Sequence, residues 1–264
     1  MKLRVRKEVL TLPNLTSDLD GYVIMHISDL HFKDYMNKDE ALNSLISSQK
    51  ADLILITGDF ITSDDDIDPV IDFLKKVKSR DGIFATLGNH DYLYSTILEH
   101  YVFSKIRGDK KNNVERLIES LKRIGIRLLI NEYVLIKTRN SRIFVEGTDD
   151  PHLGSPLISN IDENYEKSDL KILLTHSPDM LYLSDLKKKS FDLMLAGHTH
   201  GGQIRLPFVG PLATSTKYAQ RTEALGFFKR DKMYVNVSGG IGHSYLPIRI
   251  NCPAEIVLIT LKKS

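Results

Sequence analysis

Short apolar runs recur along the chain, and most of them end in polar or glycine-bearing segments. They are "GYVIMHISDLH", "ADLILITGD", "GIFATLGNHD", "RIFVEGTDD", "LKILLTHSP", "FDLMLAGHTH", "KMYVNVSGG" and "EIVLITL". Each holds about four to seven aliphatic or β-branched residues, the pattern of a strand buried on both faces. Helical spacing separates several of them. Residues 38–50 carry Ala41, Leu42, Leu45 and Ile46 at helical intervals. Residues 68–78 open with Asp68 as the cap and Pro69 at the first helical position, where a missing N–H costs nothing. Residues 113–124 put Val114, Leu117, Ile118 and Leu121 on one face, behind an Asn112-x-x-Glu115 capping pattern. Strands alternating with helices predict an α/β fold. No repeat, low-complexity segment or Pro/Gly-rich linker interrupts the alternation, so residues 1–264 read as a single domain.

Two segments stand apart. The opening "MKLRVRKEVLTLPNL" alternates basic and apolar residues and predicts an edge strand with Lys2, Arg4 and Arg6 facing water. Residues 92–112, "YLYSTILEHYVFSKIRGDKKN", break the alternation with clustered aromatics and a basic tail. They read either as a helical insertion packed on the body through those aromatics or as a lid beside a functional site.

Composition narrows the function classes. The 42% hydrophobic content is enough to fill a sizeable core. Lys and Arg number 36 against 34 Asp and Glu, a net charge of +2. That balance, with no basic track, gives no reason to expect nucleic acid as a partner. The single cysteine, Cys252, excludes an internal disulfide and fits a reducing compartment. No apolar run reaches the roughly 18–20 residues of a membrane span, and the first residues lack the apolar core of a signal peptide. The expected location is the cytoplasm, and peripheral contact with the membrane is compatible with it.

Chemistry gathers where the apolar runs stop. Asp29 and His31 follow the first, and Gly58 and Asp59 the second. Gly88, Asn89, His90 and Asp91 follow the third, His176 a later one, and Gly197, His198 and His200 another. Beyond the carboxyl ends of parallel strands is where α/β sheets bind ligands, so these groups should converge. Asp29 and Asp59 are hard oxygen donors, Asn89 offers a carbonyl oxygen, and His31, His176, His198 and His200 offer imidazoles. Such a set suits manganese, iron or zinc. Seven donors exceed one tetrahedral ion and suit two ions roughly 3.5–4 Å apart sharing a carboxylate. Taken singly, Asp-x-His, Gly-Asp and Gly-Asn are common in turns. His-x-His is stronger, because i and i+2 share a face of extended chain. The five together, each at a strand end, carry the reading. His26, His100 and His152 have no such setting and read as structural.

In this order the blocks resemble the five signatures of the calcineurin-like metallophosphoesterases, from Asp29-x-His31 to Gly197-His198-Thr199-His200. The tail, "GGQIRLPFVGPL" and "LPIRINCPAEIVLITL", is similar to a bacterial phosphodiesterase branch that includes enzymes acting on lipid-linked diphosphates such as UDP-2,3-diacylglucosamine. The resemblance implies a four-layer αββα sandwich, two mixed sheets with helices outside. It implies that Asp29, His31 and His200 hold a first divalent ion, Mn2+ foremost and Fe or Zn otherwise. Asn89, His176 and His198 would hold a second, and Asp59 would bridge. His90, bound to no metal, would contact the phosphate and protonate or stabilise the leaving oxygen. The implied reaction is hydrolysis of a phosphodiester or pyrophosphate by in-line attack of a hydroxide bridging the metals.

The implied substrate is either a lipid-linked diphosphate or a soluble nucleotide or phosphodiester. The first would use an apolar groove lined by Tyr92, Tyr94, Tyr101, Phe103 and "LPFVGPL". A scaffold that kept the fold and lost catalysis is the rival from another class, and the full set of donors with His90 argues against it. Two positions depart from the pattern. Thr62 stands where some members carry an Asp that orients the catalytic His, leaving Asp91 or a residue from elsewhere for that task. Gly239 stands where the bacterial branch often has Arg, which makes Arg205 and Arg249, with Tyr92, the candidates for substrate contact. The plainer reading of both arginines is a solvated or packing role.

Overall fold

The computed structural model describes residues 3–37, 39–94, 110–243 and 247–264. All eight apolar runs form strands: β2 (Val23–Ile27), β3 (Leu53–Thr57), β4 (Ile83–Thr86), β9 (Arg142–Gly147), β10 (Leu170–Leu174), β11 (Leu193–Ala196), β15 (Met233–Val237) and β16 (Ala254–Lys263). The pattern did not single out β1 (Leu3–Leu12) as more than an edge, nor β7 (Ile126–Leu128), β8 (Glu132–Lys137) and β14 (Gly226–Arg230) at all. These four are peripheral strands, and their sequences carry charge among the apolar residues.

The strands form two mixed six-stranded sheets among the described residues, in orders β1-β16-β2-β3-β4-β7 and β14-β15-β11-β10-β9-β8. Within each, the central strands run parallel, β2 with β3 and β4 in one, and β9 with β10, β11 and β15 in the other. Alternate side chains divide the apolar residues into layers. Ile24, Leu55 and Val257 of the first sheet meet Val145, Ile172 and Leu195 of the second in a largely apolar interface. The opposite face of the first sheet packs Ile54 and Ile56 against Phe73, Leu74, Leu117 and Leu121 of its covering helices. The far face of the second packs Phe144, Leu173 and Met194 against Tyr165, Met180 and Phe191, which lie on short helical turns and loops. The result is helix, sheet, sheet, helix, as expected.

Three details correct the sequence reading. Arg4 and Arg6 lie on an edge strand, but they do not simply face water: both reach the fully buried Glu255, Arg4 with Nη2 at 2.7 Å and Arg6 with Nε at 3.2 Å. A buried carboxylate needs such partners. Lys2 lies outside the described residues. The helix expected over 68–78 is Ile67–Leu74, entered through a short turn, Asp64–Asp66, that Ser63 and Asp66 cap reciprocally. Pro69 is therefore third rather than first, still within the turn whose N–H groups need no helical partner. The helix Val114–Arg123 is capped by Asn113, whose side chain accepts from Arg116 N at 3.0 Å. Asn112 instead donates to His90 O at 2.8 Å.

Of the segment 92–112, β5 (Leu93–Tyr94) and β6 (Lys110–Lys111) pair as an antiparallel ribbon. Residues 95–109, including His100, Tyr101 and Phe103, lie outside the described residues. Among the described residues, no helix is long and apolar enough to cross a membrane. The remaining short strands, β12 (Arg205–Leu206) and β13 (Gly210–Pro211), form a hairpin just past His200.

Candidate metal centre

The carboxyl ends of β2, β3, β4, β10 and β11 open onto one rim. The loops leaving them are stitched edge to edge. Asp29 N donates to Gly58 O at 3.1 Å, His31 N to Asp59 O at 2.9 Å, and Gly197 N to His176 O at 2.8 Å. The two sheets are joined there by His198 N, which donates to Asp29 Oδ1 at 2.9 Å. Asp29, His31, Asp59, His198 and His200 have φ of 48°, 37°, 53°, 69° and 48°. This is the left-handed region, which costs non-glycine residues on the order of 1 kcal/mol or more each. The stitching hydrogen bonds hold them in it. Two glycines are required by close approach: a Cβ at Gly88 would lie 2.3 Å from Asp59 Oδ1, and one at Gly197 only 1.8 Å from Ser28 Oγ.

Among the described residues, two groups of buried donors have their atoms within 4.8 Å of one another: Asp29, His31, Asp59 and His200, and Asp59, His176 and His198. Asp59 belongs to both. Its Oδ2 lies 3.3 Å from His31 Nε2 and 3.3 Å from His176 Nε2, while Oδ1 accepts the His90 backbone N–H at 2.9 Å. Asn89 Oδ1 is 3.1 Å from His176 Nε2. Hydrogen bonds on the far sides of two rings set their tautomers. His176 Nδ1–H donates to Thr57 O at 2.7 Å, and His198 Nε2–H to Ser215 O at 3.0 Å. In the neutral rings, His176 Nε2 and His198 Nδ1 then both present lone pairs, 3.2 Å apart. Lone pairs of two imidazoles, a carboxylate and an amide converging in a buried space repel one another unless a cation or a proton lies between them. The donor set therefore fits a divalent ion.

The electrostatics agree. Burial opposes charge on His176, but the carboxylates of Asp59, Asp29 and Asp150 overcome it and hold the ring well above its usual pKa. Burial also opposes charge on Asp59, and His176 and His90 hold it well below the usual carboxylate range nonetheless. Burial, then the neighbouring His176 and His152, pushes His198 down to about 3. Burial, then His31 and Arg249, holds His200 well below its usual value.

His90 is buried beside this cluster, its ring edge-on to His31 with centroids 4.9 Å apart. Thr62 Oγ1 lies 3.3 Å from His31 Nδ1. Asp91 accepts the backbone N–H groups of Gly88, Asp59, Phe60 and Ile61. Its carboxylate thus fastens the Asp59 loop and has its acceptor capacity filled by backbone rather than by the His90 ring. Arg249 donates to Gly239 O at 2.8 Å and to Gly242 O and Cys252 O, with Nη2 also 3.3 Å from His200 Nδ1. Its Nη1 lies 3.8 Å from where a Cβ of Gly239 would stand. Arg205 donates to Gly201 O at 2.9 Å, and Tyr92 OH to Asp149 Oδ1 at 2.7 Å. Each of these three has a partner within the chain.

His152, which read as structural from its sequence setting, stands directly against the donor cluster. Its ring stacks on His198 at 4.4 Å, and its Nε2 lies 3.0 Å from Ser177 Oγ and 3.2 Å from Asp179 Oδ2. Asp179 in turn accepts from Lys217, Tyr218 and Ala219 N–H groups, holding the loop that supplies Ser215. The available signal was position: "TDDPH" follows β9, which pairs in parallel with β10, the strand before His176.

A sequence profile of the Calcineurin-like phosphoesterase family matches residues 22–202. The chain is 30% identical over 239 residues to the uncharacterized metallophosphoesterase YkoQ of Bacillus subtilis, covering 88% of this chain and 81% of that one. It is 30% identical over 259 residues to the metallophosphoesterase YkuE of the same bacterium, covering 93% and 80%. It is 29% identical over 247 residues to Phosphodiesterase YaeI of Escherichia coli, covering 91% and 82%.

Proposed function

Since the chain belongs to the calcineurin-like phosphoesterases and so hydrolyses phosphoester bonds, we propose that it acts on a phosphodiester or pyrophosphate with two divalent cations, Mn2+ foremost. The observation that carries this reading is the pair of donor groups sharing Asp59 Oδ2. Asp29, His31 and His200 would hold one cation, Asn89, His176 and His198 the other, and Asp59 would be common to both. The cations, when bound, supply Lewis acidity and lower the pKa of water. Asp29 and Asp59 together offset only part of their charge, so the rim stays attractive to a phosphate. His90 carries a proton on its ring to the leaving oxygen. Its main-chain bond to Asp59 Oδ1 fixes its distance from the shared carboxylate. Asp91 keeps that carboxylate in place through the amides it gathers.

Proton counting tests the second donor group. In the metal-free protein the carboxylates of Asp59, Asp29 and Asp150 hold His176 well above its usual pKa, so a cation at its Nε2 competes with a proton. Mn2+ affinity is therefore expected to rise with pH through the neutral range. Titration calorimetry in buffers of different ionisation enthalpy is expected to show net proton release on binding. An enthalpy independent of buffer would remove His176 from the ligand set.

For the substrate, diester preference draws support from the relative named a phosphodiesterase. A specific feature favours a lipid-linked substrate and contact with the inner face of a membrane. Past His200, the hairpin exposes Leu206, Phe208, Val209 and Leu212, with Phe208 fully exposed, and Ile248 and Ile250 are exposed nearby in the fold. Residues 193–222 contain Arg205, Lys217 and Arg221 and no acidic residue, a combination suited to an anionic lipid surface. The test is hydrolysis with Mn2+ of bis-p-nitrophenyl phosphate, p-nitrophenyl phosphate, cyclic nucleotides and UDP-diacylglucosamine in vesicles. The diester is expected to exceed the monoester, and activity on the monoester alone would sink the reading. Phe208→Ser is expected to slow the vesicle-borne substrate severalfold and leave the soluble diester unchanged. Equal effects on both would remove the lipid reading and leave a soluble nucleotide or diester as substrate.

A further inference from the structure

Ser28, next to Asp29, is the last of a single file of polar groups. The file begins on β1 at Arg6, anchored by Glu255. Arg6 Nη2 donates to Asn236 Oδ1 at 2.8 Å. An arginine only donates, so the amide oxygen of Asn236 faces Arg6 and its NH2 points the other way. That NH2 meets His26 Nδ1 at 2.7 Å. His26 therefore accepts at Nδ1 and carries its hydrogen on Nε2, which donates to Thr57 Oγ1 at 2.8 Å. The Thr57 hydroxyl donates to Ser28 Oγ at 2.7 Å, and Ser28 to Asp29 Oδ2 at 2.5 Å. Each donor fixes the next. Burial, and then the Arg6 charge, holds His26 down to about 3, so the neutral ring this order requires is the form present at neutral pH.

Asn236, His26, Thr57, Ser28 and Asp29 are all fully buried. The file crosses from β15 in the second sheet to β2 and β3 in the first, through an otherwise apolar interface. Apolar side chains there would pack without the desolvation that each polar group costs. What the file supplies instead is a directed set of donors ending on one oxygen. With Oδ2 taken by Ser28, Oδ1 of Asp29, which also accepts the His198 N–H at 2.9 Å, faces His200 Nε2 at 3.6 Å. A Cβ at Gly197 would collide with that same Ser28 hydroxyl, so the glycine keeps the end of the file open.

We infer that this file orients the Asp29 carboxylate toward the first cation, with His26 and Thr57 as positioning residues; the inference rests on the two-cation reading above. Mn2+ alone is the probe, with stoichiometry and affinity measured by calorimetry on metal-free protein and the fold checked by circular dichroism. Thr57→Val and Ser28→Ala change shape little. Each is expected to weaken one of two binding steps about tenfold, the usual scale for a partner of a metal ligand, and to leave the other step unchanged. The double variant is expected to be no weaker than the worse single one, because both break the same file. His26→Leu does the same. His26→Gln can accept from Asn236 and donate to Thr57, and restores most of the affinity. If His26→Leu does not fold, the Thr57 and Ser28 variants still decide. Unchanged affinity in a folded Thr57→Val, equal weakening of both steps, or additive losses in the double variant overturns the inference. A wild-type protein that binds fewer than two cations overturns the reading it rests on, and the inference with it.

Discussion

Asp59→Ala is expected to abolish hydrolysis and to cost the protein both cations together. Asp59 is the one residue common to the two donor groups, and its Oδ2 sits at 3.3 Å from an imidazole of each. Removing a single transition-state donor commonly costs 10²–10³ in rate, and Asp59 organises two groups of donors. A loss of more than about a thousandfold is therefore expected. Elemental analysis after Mn2+ loading is expected to find less than one equivalent. Asp59→Asn keeps the shape but not the charge, and is expected to bind weakly and turn over slowly. An Asp59→Ala protein that still carries two equivalents of Mn2+ would overturn the shared-ligand assignment.

His90→Ala is expected to separate the two properties that Asp59→Ala removes together. His90 stands among the donors but belongs to neither group, so the variant keeps its full metal content. Its turnover falls by about 10²–10⁴, the scale of a lost general acid. The loss is expected to depend on the leaving group. A p-nitrophenolate leaves without much help, whereas an alkoxide needs its proton, so an alkyl diester suffers more than bis-p-nitrophenyl phosphate. Equal losses on both substrates would assign His90 to phosphate binding rather than proton transfer, and full activity would remove it from the site.

The central strands were legible because burial on both faces leaves an unbroken apolar run, and the eight runs became eight strands. The convergence of Asp29, Asp59, Asn89, His176 and His198 was legible for a related reason: each directly follows such a run, and parallel strands deliver their ends to one rim. What was missed depends on distance along the chain. Arg6 and Asn236 are 230 residues apart, and no local spacing pairs them. Arg4 and Arg6 read as solvated because Glu255 is at the other end of the sequence. The helix starts slipped by a residue or more because Ser63 and Asn113 compete with Asp68 and Asn112 for the cap, and only the entering turn decides between them. His152 read as structural because a single histidine after "DDP" has no partner in sequence, only in space.

The left-handed backbone at Asp29, His31, Asp59, His198 and His200 has a consequence for how far such a protein can be stabilised. Glycine is the residue that relieves that conformation, and glycine carries no donor atom. On the two-cation reading, relieving the backbone at those five positions would remove ligands, so thermal hardening has to be sought elsewhere in the molecule. The same backbone recurs at Asp231, with φ of 54°, in the turn between β14 and β15. There no donor is at stake, and the two demands do not collide.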